Sequence, residues 1–469
     1  MDRRKIIIIA SVITIGVLLG GTYWYLAKKN ILPTPAELFP GAAGLIPGEV
    51  RPPLTGGEGE VPPGGEAAIL PRLYELHKSP VAGAGFYEEG VAPYRTTIAR
   101  YMERGLGHVY ETALLSTVNE TRIVNETRPR IAEAFWGNGG RSVVFRFLDD
   151  KNDGSVSTKI LNLGARATSF AVGTIGQGSP AKLLETEEVF LPPYIPFLAV
   201  SEDGANQIFY LENGTGAAAG SVTTFQGSGT AKVFTSSFTE WLPQFPSQSL
   251  VTLTTRPSAS VPGHLFFIDQ KTSSIKKIFG GIKGLTTLTS HDGNLVLYSE
   301  TKNKTPELSL YNVSTNKHYP LYIKTLPEKC VWGSKAATII YCAVPQTIVP
   351  ADYPDQWYQG VISFSDDLWE INTGSLESKK IMSPRDFGTL SFDIINPSLS
   401  SDDSYLLFIN KMSSTPWVYR IAEEQILPAT PPTEEPAIVN TPSAATTTST
   451  TTKVQSLPST IPAGMQKIK

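Results

Sequence analysis

The sequence predicts an all-β chain: a β-propeller, seven blades of four antiparallel strands, plus one N-terminal transmembrane helix. Three observations predict it. A turn, an apolar strand, a polar loop and a second strand recur as a unit along most of the chain. Most of these units start one propeller repeat apart, about 40–50 residues. The first 29 residues place a long apolar run between basic flanks.

Thr289–Asn312 (TSHDGNLVLYSETKNKTPELSLYN) is the clearest unit. Ser290-His291-Asp292-Gly293 is a tight-turn signal, because Gly293 takes positive φ without steric cost and Ser290 and Asp292 can accept backbone N–H groups. Leu295-Val296-Leu297-Tyr298 is apolar on consecutive residues, so both faces of that strand are expected to be covered. Pro306–Tyr311 alternates polar with apolar, as a half-buried strand does.

Further first strands of the unit are Phe135–Phe147, Ala199–Leu211 and Ser400–Asn410, with degenerate ones at Trp241–Thr255 and Trp332–Val344. Second strands begin at Gly107, Gly154, Gly220, Gly263, Pro306, Asp366 and Pro416, at steps of 47, 66, 43, 43, 60 and 50 residues. The two long steps call for insertions. Six or eight blades stay open beside seven. An irregular pair of β-sandwiches is the competing architecture, and it gives no reason for the unit to recur. Tyr94–Arg100 reads as an outer or first strand of the first blade, and the strand that closes the ring has no evident place in the sequence.

The S-x-D-G turns, each followed by two strands, resemble the WD-like repeats of TolB-type bacterial propellers. Ser201-Glu202-Asp203-Gly204 and Ser290-His291-Asp292-Gly293 match that turn; Ser401-Asp402-Asp403 matches in part, and the family's usual proline after the serine is missing. Cys330–Trp369 also resembles membrane-anchored propellers of small-genome bacteria. The resemblance spans residues 95–425. It implies the fold and leaves activity undetermined.

In chain order, residues 1–29 form a cytoplasmic stub and anchor. Ile6–Leu26 is 21 residues without a charge, between Asp2-Arg3-Arg4-Lys5 and Lys28-Lys29, and about 20 apolar residues cross a bilayer as a helix. Tyr23-Trp24-Tyr25 suits an interfacial aromatic belt. A cleaved signal peptide would have a shorter apolar region ending in small residues. The lipid bilayer is therefore the first expected partner, with the N-terminus inside and the bulk of the chain extracytoplasmic. Residues 30–66 alternate proline with glycine and read as a spacer. Residues 67–424 are the propeller domain. Residues 425–469, with the run Thr446–Thr452, are rich in Pro, Thr and Ser and read as a disordered tail.

Composition narrows function by exclusion. The net charge is −3, and residues 1–30 hold five basic and one acidic residue, which leaves −7 for the rest. An acidic body offers no footprint for nucleic acid. No G-x-S-x-G elbow or H-E-x-x-H motif occurs, so no catalytic residue, metal ligand or cofactor is assigned. His108 and His264 follow glycines at like places in their repeats and read as structural. Asp149–Gly154 resembles a calcium loop, but Lys151 breaks the every-second-residue register of ligands, and a hairpin turn is the reading kept.

Two features remain. Cys330 and Cys342 lie symmetrically about Ala336 in a hairpin pattern; an extracytoplasmic pair of cysteines fits a disulfide, with two buried thiols as the alternative. The insert Pro345–Phe364 holds Tyr353, Asp355, Trp357 and Tyr358. Aromatics in a rim loop make a binding surface; Trp357 and Tyr358 would equally serve to plug a gap between blades. The expected function is a membrane-anchored interaction or scaffold module with an envelope protein partner. The alternative is a propeller that binds or hydrolyses glycans or peptides through its funnel. Carboxylates and aromatics converging there would favour the alternative; small or apolar residues would favour the first.

Overall fold

A computed structural model describes residues 71–422 apart from 91–94, 115–118, 150–154, 165–182 and 215. The expected anchor, spacer and tail lie outside the described residues, as does the turn at 150–154. No helix among the described residues is long and apolar enough to cross a membrane.

Seven separate four-stranded antiparallel sheets make up the domain. Blades 1 to 6 use four consecutive strands each, over residues 81–124, 131–190, 197–236, 241–283, 286–320 and 330–382. Blade 7 takes three strands from residues 394–420 and its outermost strand from Leu73–Glu75, the first strand described. Leu73 pairs with Tyr419, Tyr74 with Val418 and Glu75 with Trp417. The Arg72 guanidinium extends this pairing, donating to the carbonyls of Arg420 and Ile421 at 2.8 and 2.9 Å. The closing strand is thus three residues long, too short to carry a periodic signal.

In every blade the two strands of the sequence unit are the second and third, the central hairpin. Neighbouring blades meet through their first strands, which places those innermost. Tyr94–Arg100 falls on Thr96–Glu103, the second strand of blade 1. It is the first strand of the repeat unit, paired with Val109–Ala113, and not an outer strand; Val81–Glu89 supplies an inner strand ahead of it.

The consecutive apolar run of blade 5 shows why both faces had to be covered. Val296 and Tyr298 pack with Leu265 of blade 4, whereas Leu297 packs with Ile340 and Cys342 of blade 6. Each blade is filling between its neighbours, and each fully buried Leu or Val contributes about 1.5–3 kcal/mol.

The strand order gives the disc two distinct faces. Loops joining first to second and third to fourth strands lie on one, here the turn face. Loops joining second to third strands, and the links between blades, lie on the other, the link face. The S-x-D-G turns are all on the turn face. Ser290 Oγ donates to Asp292 Oδ1 at 2.6 Å, which accepts Asn294 N–H at 3.0 Å, and Leu295 N–H donates to Ser290 Oγ at 3.0 Å. Blade 7 repeats this with Ser400, Asp402, Ser404 and Tyr405, at 2.6, 3.0 and 3.0 Å. Its turn is therefore Ser400-Ser401-Asp402-Asp403, one residue earlier than Ser401-Asp402-Asp403. Asp403 occupies the glycine position at φ +60°, beside Gly204 at +74° and Gly293 at +72°. Its carboxylate accepts three N–H groups of blade 6, from Ser334, Lys335 and Ala336, at 2.7, 3.0 and 3.2 Å.

Strand Leu73–Glu75 starts at the turn face and the third strand of blade 7, Pro416–Arg420, ends there. Both ends of the described chain leave from that side, where Arg420 N–H meets the Arg72 carbonyl at 2.8 Å.

Candidate functional site

The insert of blade 6 runs over residues 346–365, between its second and third strands, on the link face. It contains one short helix, Asp355–Tyr358. It does not stay over its own blade. The Asp355 carboxylate accepts Ala259 N–H of blade 4 at 2.7 Å. Ala351 N–H donates to the Lys304 carbonyl of blade 5 at 2.9 Å, and Thr301 Oγ1 of the same blade donates to the Tyr353 carbonyl at 2.7 Å. Lys411 Nζ of blade 7 donates to the Trp357 carbonyl. The insert is a brace across blades 4 to 7.

Beneath it lies a charged centre shut off from water. Lys329 ends the turn before the first strand of blade 6, Asp366 opens the third strand of that blade, and Asp393 precedes the first strand of blade 7. All three side chains are fully buried. Lys329 Nζ donates to Asp393 Oδ1 at 2.6 Å, Asp366 Oδ2 at 2.8 Å and the Ile394 carbonyl at 2.8 Å. Trp357 Nε1 donates to both Asp393 oxygens, at 3.2 and 3.0 Å, and Phe364 N–H donates to Asp393 Oδ2 at 3.1 Å. The Trp357 and Phe364 ring centroids sit 5.1 Å from the ammonium, within cation–π range. Asp366 is less well served: Oδ2 accepts Ile394 N–H at 2.7 Å, while Oδ1 meets no donor among the described residues. Loss of solvent pushes the Asp366 carboxyl up to about 6, against the pull of Lys329.

This arrangement fastens the brace and presents nothing to a substrate. Tyr353 is fully buried and donates to the Val349 carbonyl at 2.7 Å; Trp357 is also buried, in one cluster with Leu326, Ala351 and Phe364. Of the four residues expected in a binding loop, Asp355 is half-buried and bonded to blade 4, and Tyr358 is exposed, at 42%, with its hydroxyl on Glu328. Cys330 and Cys342 face each other across the inner pair of strands in blade 6 and are joined by a disulfide.

The sequence reading missed Lys329, Asp366 and Asp393. Lysine and aspartate are almost never fully buried unless paired, and these partners lie far apart in the chain. The faint signal was the pair Glu328-Lys329 between Leu326-Pro327 and Cys330-Val331-Trp332.

The reading also missed an asymmetry between the faces. Of the fourteen large apolar side chains exposed among the described residues, eleven lie at the link face and three (Leu183, Ile275 and Leu376) at the turn face. Val261, Val349, Tyr358, Val361 and Met412 sit on the brace or on the loops it grips. The innermost strands are poor in charge: VAGAGFYEE, IAEAFWG, FLAV, WLPQFPS, TTLT, CVW and IINPSL supply only Glu88, Glu89 and Glu133. No group of three or more His, Cys, Asp or Glu able to hold a metal occurs among the described residues.

No protein-family model matches the sequence, and no curated protein does. Solved structures similar to it include an oligogalacturonate lyase in complex with manganese, at TM-score 0.44 and 11% identity, covering 74% of this chain and 98% of that one. TolB from Acinetobacter baumannii aligns at 0.38 and 8%, over 63% and 78%. The Pan2 WD40 domain of Neurospora crassa aligns at 0.44 and 9%, over 76% and 98%. These are likenesses of fold, and the sheet topology stands without them.

Proposed function

We propose that this propeller is a protein-interaction module that docks its partner on the link face, around the brace of blades 4 to 7, while Ile6–Leu26 anchors it in a membrane with the propeller outside. The single observation that carries the docking reading is the concentration of exposed apolar side chains on the link face. Large exposed apolar area marks interaction surfaces. The brace adds rigidity there, which lowers the entropy cost of association. Innermost strands whose only charged residues are Glu88, Glu89 and Glu133 support this reading over a catalytic funnel. The anchor rests on the composition and flanks of residues 1–29, and an envelope protein is the partner class it suggests.

Site-specific photocrosslinkers in living cells test the docking face. Placed at Val261, Val361 and Met412, they are expected to give one shared adduct of defined mass, with none from Ile275 or Leu376. Adducts from the turn face alone, or equal adducts from both faces, would overturn the assignment. Protease accessibility of the propeller in intact and opened cells tests the side of the membrane.

A further inference from the structure

We infer that the outer cleft between blades 5 and 6 is a binding site for a linear acidic oligosaccharide, at the outer margin of the protein-docking surface proposed above. Two cavities share Gln346 there, one lined by blade 6 and the segment that follows it, the other also by Tyr322–Lys324 of the link from blade 5. One, of about 500 Å³, is polar: Gln346, Thr347 and Ser383 supply amide and hydroxyl groups, and Lys380 and Arg385 stand beside Asp367 and Asp386. The other, of about 410 Å³, is of mixed character: Tyr322, Trp369 and Ile348 stand in its wall together with Lys324 and Gln346. Each falls within the size range of small-ligand sites, about 300–1,000 Å³.

The register explains how the cleft is built. Asp367 and Trp369 are two apart on one strand and so share a face; Lys380 pairs with Trp369 and Val344 with Asp367. That face looks to blade 5, because Ile371, two residues further on, packs with Leu308 and Leu310 of blade 5. The outermost strand of blade 5, Lys317–Pro320, is only four residues long. It leaves the outer part of the face uncovered, and the link that follows turns Tyr322 outward.

Charge and shape select the ligand. Asp367 accepts Gln346 Nε2 at 2.8 Å and Lys380 Nζ at 3.4 Å, whereas the exposed Asp386 accepts only Ser383 N–H at 3.2 Å and keeps its charge beside Arg385. Lys324 and Arg385 are exposed and make no hydrogen bond or ion pair among the described residues. Across the cleft Lys324, Lys380 and Arg385 outnumber Asp367 and Asp386 by one, and the two cations without an ion pair come one from each cavity, which calls for acidic groups on different units of one ligand. Tyr322 is 93% exposed and held at φ +55°, a costly backbone state for a bulky residue. It is displayed beside the half-buried Trp369. Flat aromatic faces next to hydroxyl and amide groups suit pyranose rings, which present C–H faces and many hydroxyls together. Uronic acids combine all these features.

The test is calorimetric titration of the full-length protein in nanodiscs with a mannuronate tetramer, its carboxyl-reduced counterpart and tetraglutamate. Lys324→Ala, Arg385→Ala and Tyr322→Ala alter exposed side chains and leave the core untouched. The mannuronate tetramer is expected to bind, and each lost cation to weaken it about fivefold. The carboxyl-reduced tetramer should bind at least about tenfold more weakly, and added salt should erase the difference. No binding at millimolar ligand, equal binding of the reduced tetramer, or affinity unchanged in K324A and R385A would each overturn the proposal. Tighter binding of tetraglutamate than of mannuronate would make the cleft a peptide site and would overturn it too.

Discussion

Replacing Lys329 by Met keeps the length of the side chain and removes the one cation shared by Asp366 and Asp393. Three contacts of 2.6–2.8 Å vanish, and two carboxylates stay behind at zero exposure. Removing one member of a buried ion pair costs about 3–5 kcal/mol, because the survivor keeps its desolvation penalty. The two survivors differ. Asp393 retains Trp357 Nε1 and Phe364 N–H, whereas Asp366 retains only Ile394 N–H and already sits at about 6 with Lys329 present. Asp366 should therefore take up a proton in K329M rather than stay charged, which caps the loss near the lower bound, about 3 kcal/mol at pH 7. Adding Asp366→Asn to K329M should cost almost nothing further, although alone it is destabilising, so the pair should couple by at least about 1 kcal/mol. Equilibrium urea unfolding followed by tryptophan fluorescence reads all four corners of the cycle, and limited proteolysis within residues 346–365 reports release of the brace. Additive costs, or a K329M loss below about 1 kcal/mol, would refute the reasoning.

The same centre predicts a pH dependence. Because burial raises Asp366 above its unfolded value, the folded chain takes up the proton first as pH falls. The contribution is then fully present below about pH 4 and is lost as pH rises to about 6. The stability gap between wild type and D366N should thus widen by on the order of 1 kcal/mol from pH 7 to pH 5, and a constant gap would count against it. Non-reduced peptide mapping should recover Cys330 linked to Cys342; Cys330→Ala with Cys342→Ala should cost about 2–3 kcal/mol, and two free thiols in protein from its native compartment would sink the assignment. Asp403→Gly keeps the left-handed turn and loses three acceptor bonds, for about 1–2 kcal/mol, while Asp403→Ala should cost about 1 kcal/mol more through backbone strain; equal melting temperatures would contradict that split. Hydrogen exchange should be fastest, among the blade contacts, at the three-residue pairing of Leu73–Glu75 with blade 7, and uniform protection around the ring would argue against it.

The central hairpins were legible because burial on two faces writes itself as consecutive apolar residues, as in Leu295–Tyr298, and all seven third strands appear where that pattern put them. Inner and outer strands were not. Trp241–Ser247 carries two prolines and a register shift, and Ile275–Lys283, IKKIFGGIK, is half exposed on the rim; neither repeats a period. The turns were legible in chemistry but not in frame. At blade 7 the aspartate in the glycine position made Ser401 look like the cap that Ser400 in fact provides. The insert was legible as a feature with two readings; of the two aromatics weighed as a plug, Trp357 is buried and Tyr358 stays exposed. Nothing local could announce the buried ions, because Lys329 meets Asp366 and Asp393 only once two blades stand side by side.

That dependence on assembly explains why charge sits there at all. An apolar core holds any greasy loop in many ways, since hydrophobic burial has no direction. The brace must instead span four blades in one register, with Asp355 on blade 4 and the Trp357 carbonyl on Lys411 of blade 7. A buried carboxylate that is satisfied only when Trp357 Nε1 and Phe364 N–H both point at it penalises every other seating of the loop. Blade 6 then fixes the cation from the other side. Lys329 precedes Cys330, whose disulfide ties the inner strand to its neighbour, and that strand pairs in turn with the one Asp366 begins. Disulfide, ion centre and brace are therefore one device, and what it holds still is the apolar surface of Val261, Val361 and Met412 on which the docking proposal rests.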